Sequence, residues 1–363
     1  MYDVITVTEA QEWRQFLSVQ RKVYDRRSPA IPLPEWEVRR LLDEVGNPAL
    51  HGRNRYMLLV RHDGEAVGRC SLVLPKPGSK DQTAILGFFE CIDDERAARA
   101  LLERAEMRCL AYGIHHIHGP FNPTTSGVTG IQLDHFEDAT ILYEACSQPY
   151  YAALLEKAGY WIEQRGRSWR NSTLRTDMDA LIKRLPDRPS RYHIRQMSLA
   201  NLRHGVEDLA GVFDAAFHNN WSREPMVLEE YFFVARFLLP AWHSTSFSIV
   251  YDEDRAVGVA LAFPDINPAF RSAPCDTQTL AVLKARRLAR RSRSLLMFAI
   301  GMHPDHQKSP AGLVLARHMA GVARQYDAMY STWITEGNLG SERMAVRFGL
   351  SPWKNFGVYR KEF

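Results

Sequence analysis

Residues 295–326 read LLMFAIGMHPDHQKSPAGLVLARHMAGVARQY, and this stretch determines the predicted fold. The apolar run at 295–302 predicts a buried strand, and the amphipathic spacing over 311–326 predicts a helix. A polar loop joins the two elements. A strand that leads directly into a helix is the repeating piece of α/β proteins, so the predicted fold class is α/β with a mixed sheet.

The elements around this stretch occur in the same order in each half of the chain. Each half starts with a helix, continues through an antiparallel hairpin, and ends with a strand, a helix, a strand, a short helix and a strand. In the second half the predicted elements are 202–219, 246–251, 256–263, 295–302, 311–326, 328–334, 342–349 and 353–361. In the first half they are 9–24, 55–61, 66–73, 84–91, 93–112, 115–119, 150–159 and 160–170.

The two predicted hairpins share one design, since each has an acidic turn followed by the tripeptide Ala-Val-Gly, at 66–68 and 256–258. Self-similarity at about half the chain length predicts a tandem duplication, with two unrelated α/β domains as the alternative. The length of 363 residues also fits two domains. We place the first domain at residues 1–175, a polar linker at 176–191 and the second domain at 192–363.

Composition excludes several classes of protein. Hydrophobic residues make up 45% of the chain and no run of about 18 apolar residues occurs, so we expect neither a disordered nor a membrane-spanning chain. The first residues lack the pattern of a secretory signal. The chain has five scattered cysteines and no CxxC pair. This pattern favours a cytoplasmic location and argues against both a disulfide framework and a zinc site. The net charge of +4 indicates no particular partner.

Seven short motifs resemble, in their order and spacing, a tandem form of the Gcn5-related N-acetyltransferase (GNAT) superfamily. They are GFFE at 87–90, GPFNP at 119–123, PYY at 149–151, NW at 220–221, FPDIN at 263–267, GMHPD at 301–305 and WITEGN at 333–338. The chain is similar to a bacterial family of tandem GNAT proteins that includes the bacterial ceramide synthases. The resemblance covers nearly the whole chain, and it implies two GNAT-like acyltransferase domains.

The resemblance puts the acyl-CoA pyrophosphate at the start of the predicted helix 311–326. A helix N-terminus offers unpaired N–H groups and the positive end of a dipole to an anion. The family's loop pattern, Gln/Arg-x-x-Gly-x-Gly/Ala, is matched by Gln307 and Gly312, whereas Pro310 replaces the first glycine and removes one N–H donor. Acyl-CoA is the implied co-substrate, with no tightly bound cofactor or metal, and the implied carrier contacts are Met302, Gln307, Lys308, Ser309 and Gly312.

The corresponding helix of the first half begins with three acids, Asp93, Asp94 and Glu95. Carboxylates at a helix N-terminus stabilise the helix and repel phosphate. We therefore expect the first domain to have lost carrier binding, and to supply a wall of the site or part of an acceptor pocket.

The resemblance implies direct attack of a neutral amine on a thioester, with a base that removes the amine proton. Glu336 is the first candidate base, or else a solvated loop acid, and Asn338 orients a substrate or caps the next helix. His303, beside the carrier loop, is a second candidate base or a structural histidine. The tyrosine acid frequent in GNAT enzymes is absent, because its two positions hold Leu155 and Ala345.

Four more residues are candidates for contact with the substrate. Asn122 lies between prolines in a rigid polar loop, where an Asx-turn is the alternative interpretation. Asn220 and Trp221 follow an apolar helix face, and they line an acceptor pocket or form a helix end with a packed indole. Tyr150 contacts an acceptor or packs in the core with its hydroxyl bonded.

A basic stretch without any acid occupies ten positions of the second half, and its members are Lys284, Arg286, Arg287, Arg290, Arg291 and Arg293. Three interpretations compete. A solvated helix face is the commonest reason for a run of charge. Contact with an anionic membrane surface would suit a lipid acceptor or acyl chain. Contact with the phosphates of tRNA is the third.

Three functions remain open from the sequence. The first is an N-acyltransferase that uses acyl-CoA or an acyl-carrier protein and acts on a small amine or amino lipid, and Gln307 and Gly312 favour it. The second is an aminoacyl-tRNA-dependent transferase acting on a small-molecule amine or hydroxylamine. Pro310 and the basic stretch favour it, because tandem GNAT-like transferases that use tRNA lack the pyrophosphate loop. The third is a non-catalytic GNAT-fold binding protein, which the missing tyrosine favours.

Overall fold

The computed structural model describes residues 2–25, 27–185, 191–242, 247–271 and 278–363. Its strands, in chain order, are β1 Tyr2–Thr6, β2 Arg55–His62, β3 Glu65–Val73, β4 Thr83–Cys91, β5 His116–Gly119, β6 Phe121–Asn122, β7 Val128–Thr129, β8 Ile131–Gln132, β9 Trp161–Asn171, β10 Tyr192–Gln196, β11 Phe247–Asp252, β12 Arg255–Pro264, β13 Ser294–Met302, β14 Ala328–Ser331, β15 Ile334–Thr335 and β16 Ser351–Glu362. Its α-helices are α1 Ala10–Val23, α2 Glu35–Leu41, α3 Glu95–Leu110, α4 Tyr151–Lys157, α5 Leu174–Arg184, α6 Leu202–Phe217, α7 Leu228–Leu238, α8 Gln278–Ala289, α9 Ala311–Ala323 and α10 Leu339–Arg347.

The chain divides into two compact units that interleave along the sequence. The first unit comprises Met1–Gly166, Phe270–Gln278 and Lys354–Phe363. The second comprises Arg167–Ala269 and Thr279–Trp353.

The sheet of the first unit has the strand order β1-β2-β3-β4-β5-β16, in which β4 and β5 are parallel and the other registered neighbours are antiparallel. In β2, Leu58 and Val60 belong to the apolar cluster that includes α3. Met57 and Leu59 belong to the cluster that includes α1. Because successive side chains of a strand point to opposite faces, this sheet is covered by helices on both sides.

The sheet of the second unit has the order β9-β14-β13-β12-β11-β10, again with one parallel pair, β13 and β14. Leu315 and Met319 of α9 pack with Val257 of β12 in one cluster. Across the sheet, α6 approaches so closely that a Cβ atom on Gly301 would lie 2.7 Å from the Phe217 ring. The predicted α/β class with a mixed sheet, built twice, is confirmed.

Each unit is completed by a strand from the other half of the chain. The part of β16 from Lys354 onward belongs to the first unit, where Tyr359 lies opposite Gly119 of β5. The end of β9 belongs to the second unit, where Asn171 lies opposite Met329 of β14. Both strands form where the sequence predicted them, but the compact units depart from the predicted ranges 1–175 and 192–363.

Most of the predicted polar linker 176–191 is helical, because α5 continues to Arg184. Leu174 and Met178 of α5 are fully buried in the core of the second unit. Arg317 of α9 donates hydrogen bonds of 2.9 Å to the carbonyls of Ile182 and Leu185, which satisfies the C-terminal end of α5. Residues 186–190 lie outside the described residues.

Among the elements that the sequence analysis did not predict are β1, β10, α2 and α7. The four cysteines among the described residues are free thiols, and burial raises the pKa of the Cys91 thiol to about 12. Cys275 lies outside the described residues. Among the described residues, no helix combines the length and the apolar character needed to cross a bilayer.

Candidate functional site

The parallel strands of the second unit separate toward their carboxyl ends. Registered pairing of β13 with β14 stops at Met297 and Ser331. Directly beyond this pairing, the Thr332 hydroxyl donates to the carbonyl of Phe298 at 3.0 Å. Ligands of α/β sheets bind beyond the carboxyl ends of parallel strands. The candidate site is therefore built from the residues that follow these two strands.

Glu336, the first candidate base, follows β15 and forms an ion pair. Arg167 of β9 donates to its Oε1 atom at 3.1 Å, and the Glu336 side chain is 48% exposed. Among the described residues, no other side chain bonds to Glu336. The guanidinium orients the carboxylate, and the other carboxylate oxygen is left for a further partner.

Asn338 caps the helix that follows it, which is one of the two roles that the sequence left open, and it also contacts a second candidate residue. Its side-chain oxygen accepts from the Ser341 N–H at 3.1 Å and caps α10. Its amide nitrogen donates to the side-chain oxygen of Asn220 at 3.5 Å. Two predicted site residues, 118 positions apart in the chain, are therefore brought together in the second unit. Half-buried Trp221 follows Asn220 directly.

A polar cluster bonds the segment after α6 to α6 and α7. The sequence analysis did not predict this cluster. Tyr231 of α7 donates to Asp214 of α6 at 2.6 Å, and Arg223 bonds to the same carboxylate. Arg223 also lies over the Phe213 ring, 5.3 Å from its centre. Burial, together with the Asp214 carboxylate, raises the pKa of Tyr231. No spacing signal links these residues in the sequence, because they meet only through the packing of α6 on α7.

His303 directly follows β13 and caps the short 3-10 helix Pro304–His306. Its Nδ1 atom accepts from the Asp305 N–H at 3.3 Å, and its Nε2 atom lies 3.5 Å from the Arg255 guanidinium. The geometry thus matches the structural interpretation of this histidine.

The loop that leads into α9 satisfies most of its own N–H groups. The Ser309 hydroxyl accepts from the Ala311 N–H at 3.3 Å and donates to the His306 carbonyl at 2.7 Å. Pro310 has no N–H, whereas the Gly312 N–H has no hydrogen-bond partner among the described residues. Gln307 and Lys308 are exposed. An anion at this helix end would meet one free amide of α9 and two exposed polar side chains.

Met302 has a packing role beside this loop. A Cβ atom on Gly258 of β12 would lie 2.3 Å from the Met302 sulfur, so the thioether covers that glycine. A Cβ atom on Gly312 would lie 4.0 Å from the Met302 side chain, which therefore also borders the start of α9.

The equivalent place in the first unit is filled by the protein itself. β4 carries a bulge at Phe88, whose φ is +47°, and its N–H donates to the Asn122 side-chain oxygen at 2.6 Å. The loop lies so close that a Cβ atom on Gly87 would be 2.3 Å from the Phe121 carbonyl oxygen. Asn122 thus serves as an internal hydrogen-bond acceptor.

The start of α3 in the first unit is likewise occupied. Asp94 accepts from the N–H groups of Arg96 and Ala97 at 2.8 and 3.1 Å, and Tyr2 donates its hydroxyl to the same carboxylate. A carboxylate already holds the position where an anionic ligand would bind. The loss of carrier binding by the first domain stays a prediction, and this carboxylate is an argument for it.

Tyr150 and Arg293, a member of the basic stretch, bond to other parts of the protein. The Tyr150 hydroxyl donates to the Cys91 carbonyl at 3.0 Å, and burial raises its pKa. Arg293 forms two bonds to Asp327, at 2.7 and 3.1 Å, and lowers the pKa of that carboxyl. The remaining basic residues lie on α8 or directly after it: Lys284, Arg286, Arg287, Arg290 and Arg291.

One group of potential metal ligands occurs among the described residues. His135, Glu137 and Asp138 have ligand atoms within 4.8 Å of one another, in a largely exposed loop of the first unit. Exposed acidic groups of this kind are common without an ion.

Comparison with known proteins gives two distant sequence relatives. Protein YghO of Escherichia coli is 24% identical over 317 residues, 82% of this chain and 80% of that protein. Bacterial ceramide synthase of Caulobacter vibrioides is 22% identical over an alignment of 372 positions, 99% of this chain and 97% of that protein. No family model matches the sequence.

Solved structures identify the architecture. A tandem GNAT protein from the clavulanic acid biosynthesis pathway superposes with a TM-score of 0.57 at 13% identity, over 100% of this chain and 98% of that chain. The chain has the tandem GNAT fold. A GCN5-related N-acetyltransferase from Sphaerobacter thermophilus gives a TM-score of 0.54 at 14% identity, over 99% of this chain and 95% of that chain. The resemblance to tandem GNAT-fold proteins, bacterial ceramide synthase among them, is confirmed.

Proposed function

We propose that the second unit of this tandem GNAT fold is an N-acyltransferase that moves an acyl group from a thioester to an amine. The observation that carries the proposal is the gathering of Glu336, Asn338 and Asn220 beyond the separated ends of β13 and β14. In the first unit the comparable backbone donor, the Phe88 N–H, is already bonded to Asn122. In the first unit this place is therefore taken by the protein's own side chain, and the proposal assigns the substrate to the second unit.

The proposed reaction forms a C–N bond and breaks a C–S bond. The amine nitrogen attacks the thioester carbonyl, and its proton passes to the Glu336 carboxylate. The thiolate leaves and takes a proton from solvent, and Glu336 releases its proton to solvent. Arg167 holds the Glu336 carboxylate in position through the bond to Oε1. Asn338 and Asn220 offer amide groups that orient the acceptor.

The proposed donor is acyl-CoA or an acyl-carrier protein, which would bind at the start of α9. The Gly312 N–H and exposed Lys308 support an anion there. The proposed acceptor is a small amine or an amino lipid. The name of the Caulobacter relative, a ceramide synthase, supports an amino lipid, since a ceramide is an N-acylated long-chain amino alcohol.

A second candidate function is an aminoacyl-tRNA-dependent transferase acting on a small amine or hydroxylamine. The specific observation in its favour is the start of α9. Pro310 has no N–H there, and the Ala311 N–H is already bonded to the Ser309 hydroxyl. Fewer free amides weaken a pyrophosphate site. A donor bound mainly through its tRNA does not need that site.

The test is a Glu336→Gln variant, which keeps an acceptor for Arg167 but removes the base. We expect the rate of acyl transfer to fall about 100-fold or more, with unchanged acyl-CoA affinity. Thiol release from acyl-CoA is measured with a panel of small amines and long-chain amino alcohols, and affinity is measured by calorimetry. Glu342→Gln on α10 is the matched control.

Each alternative has its own outcome. Full activity in Glu336→Gln would remove the base assignment. Binding of aminoacyl-tRNA without any binding of CoA or acyl-CoA would favour the second candidate. Wild-type protein that binds acyl-CoA but transfers no acyl group to any amine would favour the third hypothesis, a binding protein.

A further inference from the structure

α8 has no counterpart in the first unit. There β3 and β4 are joined by a connection without a helix, over residues 74–82. In the second unit the equivalent connection, between β12 and β13, contains α8. A duplication alone does not account for this helix, and the candidate site does not use it.

One face of α8 packs on the protein and the opposite face is exposed. The packed face consists of small residues, since Ala281 and Ala285 are fully buried. On the other face Leu283 is 57% exposed and Leu280 is 44% exposed. Residues three and four apart lie side by side on a helix, so Leu280, Leu283 and Arg287 form one strip.

Arginines surround this exposed leucine strip. Arg286, Arg287, Arg290 and Arg291 are exposed and form no ion pair with another described residue. No acid occurs between residues 278 and 293. Basic residues near a helix C-terminus stabilise the helix through its dipole, but this effect is confined to the last turn. It also gives no reason for exposed leucines beside the arginines.

We infer that the exposed face of α8 binds an anionic lipid surface. Apolar side chains in the middle of a helix face enter the boundary between headgroups and acyl chains, while arginines around them reach the lipid phosphates. An RNA backbone would meet the same arginines, but it has no apolar layer to receive Leu283. The combination of leucine and arginine therefore favours a lipid surface over RNA.

The test is vesicle flotation with the full-length chain. The wild type is expected to bind vesicles of phosphatidylcholine and phosphatidylglycerol in equal parts, and to stay unbound with phosphatidylcholine alone. Arg287→Gln combined with Arg290→Gln is expected to lower the partition constant about 30-fold. Leu283→Ser is expected to lower it about 10-fold, because the apolar contact is lost.

A matched control uses two exposed arginines of the first unit, Arg14→Gln combined with Arg104→Gln, and should bind as the wild type does. Thermal unfolding checks that every variant is folded. The proposal is overturned if the wild type ignores anionic vesicles, if the control loses as much binding as the α8 variant, or if Leu283→Ser binds normally. Binding of tRNA that depends on Arg287 and Arg290, without vesicle binding, would assign the surface to RNA instead.

Discussion

Asn122 and Asn338 each bond to the backbone through the side-chain oxygen, but only one of them keeps its amide near the candidate site. Asn122 accepts from the bulged Phe88 N–H inside the first unit. Asn338 accepts from the Ser341 N–H and directs its amide nitrogen to Asn220. The same residue type closes a backbone bulge in one unit and orients a second polar side chain in the other.

Replacement of Asn122 by alanine should destabilise the first unit. The Phe88 N–H would lose its partner, and an unsatisfied buried donor costs about 1–3 kcal/mol. Urea denaturation measures the loss. Asn122→Asp keeps an acceptor oxygen and should lose less, while Asn219→Ala at an exposed position should lose nothing. Equal stability of the Asn122→Ala and wild-type proteins would contradict the role of this bond.

The start of α9 shows how one element can keep a helix intact while weakening an anion site. Pro310 begins the helical turn with φ −63° and ψ −14°, and its carbonyl accepts from the N–H groups of Leu313 and Val314. Proline suits this position because its φ is already helical and its missing N–H would be unpaired anyway. The same missing N–H removes a donor for phosphate.

Pro310→Gly should therefore strengthen the binding of CoA. The added amide can donate one more bond to an ionised phosphate, which is expected to lower Kd about 10-fold. Calorimetry with CoA measures this, and the flexibility of glycine should lower the melting temperature slightly. Pro304→Gly, in the turn before the loop, is the control. An unchanged Kd in Pro310→Gly would mean that the pyrophosphate does not bind at this helix end.

At the scale of the whole molecule, most of β16, from Lys354 onward, is part of the first unit. Lys354 is fully buried there, where it donates to the Glu144 carboxylate at 2.7 Å and to the Ala139 carbonyl at 2.8 Å. Asn355 donates its backbone N–H to Asp134 at 2.7 Å. These bonds join β16 to the loop between β8 and α4, so the first unit depends on the end of the chain.

Lys354→Met should destabilise the protein strongly, because it removes the ammonium group bonded to the buried Glu144 carboxylate. Breaking such a pair costs about 3–5 kcal/mol. Urea denaturation of Lys354→Met, Glu144→Gln and the double variant gives the coupling energy between the two side chains. The double variant should recover part of the loss. Lys183→Met, at an exposed position on α5, is the control, and an equal loss there would contradict the argument.

The sequence by itself determined the local elements and their duplication. The apolar run of β13, the amphipathic spacing of α9 and the repeated Ala-Val-Gly hairpins depend only on neighbouring residues, so their patterns can be read without the fold. The replacement of the first carrier glycine by Pro310 was also evident. α7 was not predicted, since half-buried apolar segments resemble several kinds of element.

Only the tertiary structure decided which strand completes which unit, and which polar side chains meet. β9 and β16 were predicted in place, but a strand's sequence does not specify its neighbour in a sheet. The contact of Asn220 with Asn338 and the cluster of Asp214, Arg223 and Tyr231 join separate elements. Periodicity reports the face of each element that is buried, whereas hydrogen bonds between distant segments depend on how the elements pack.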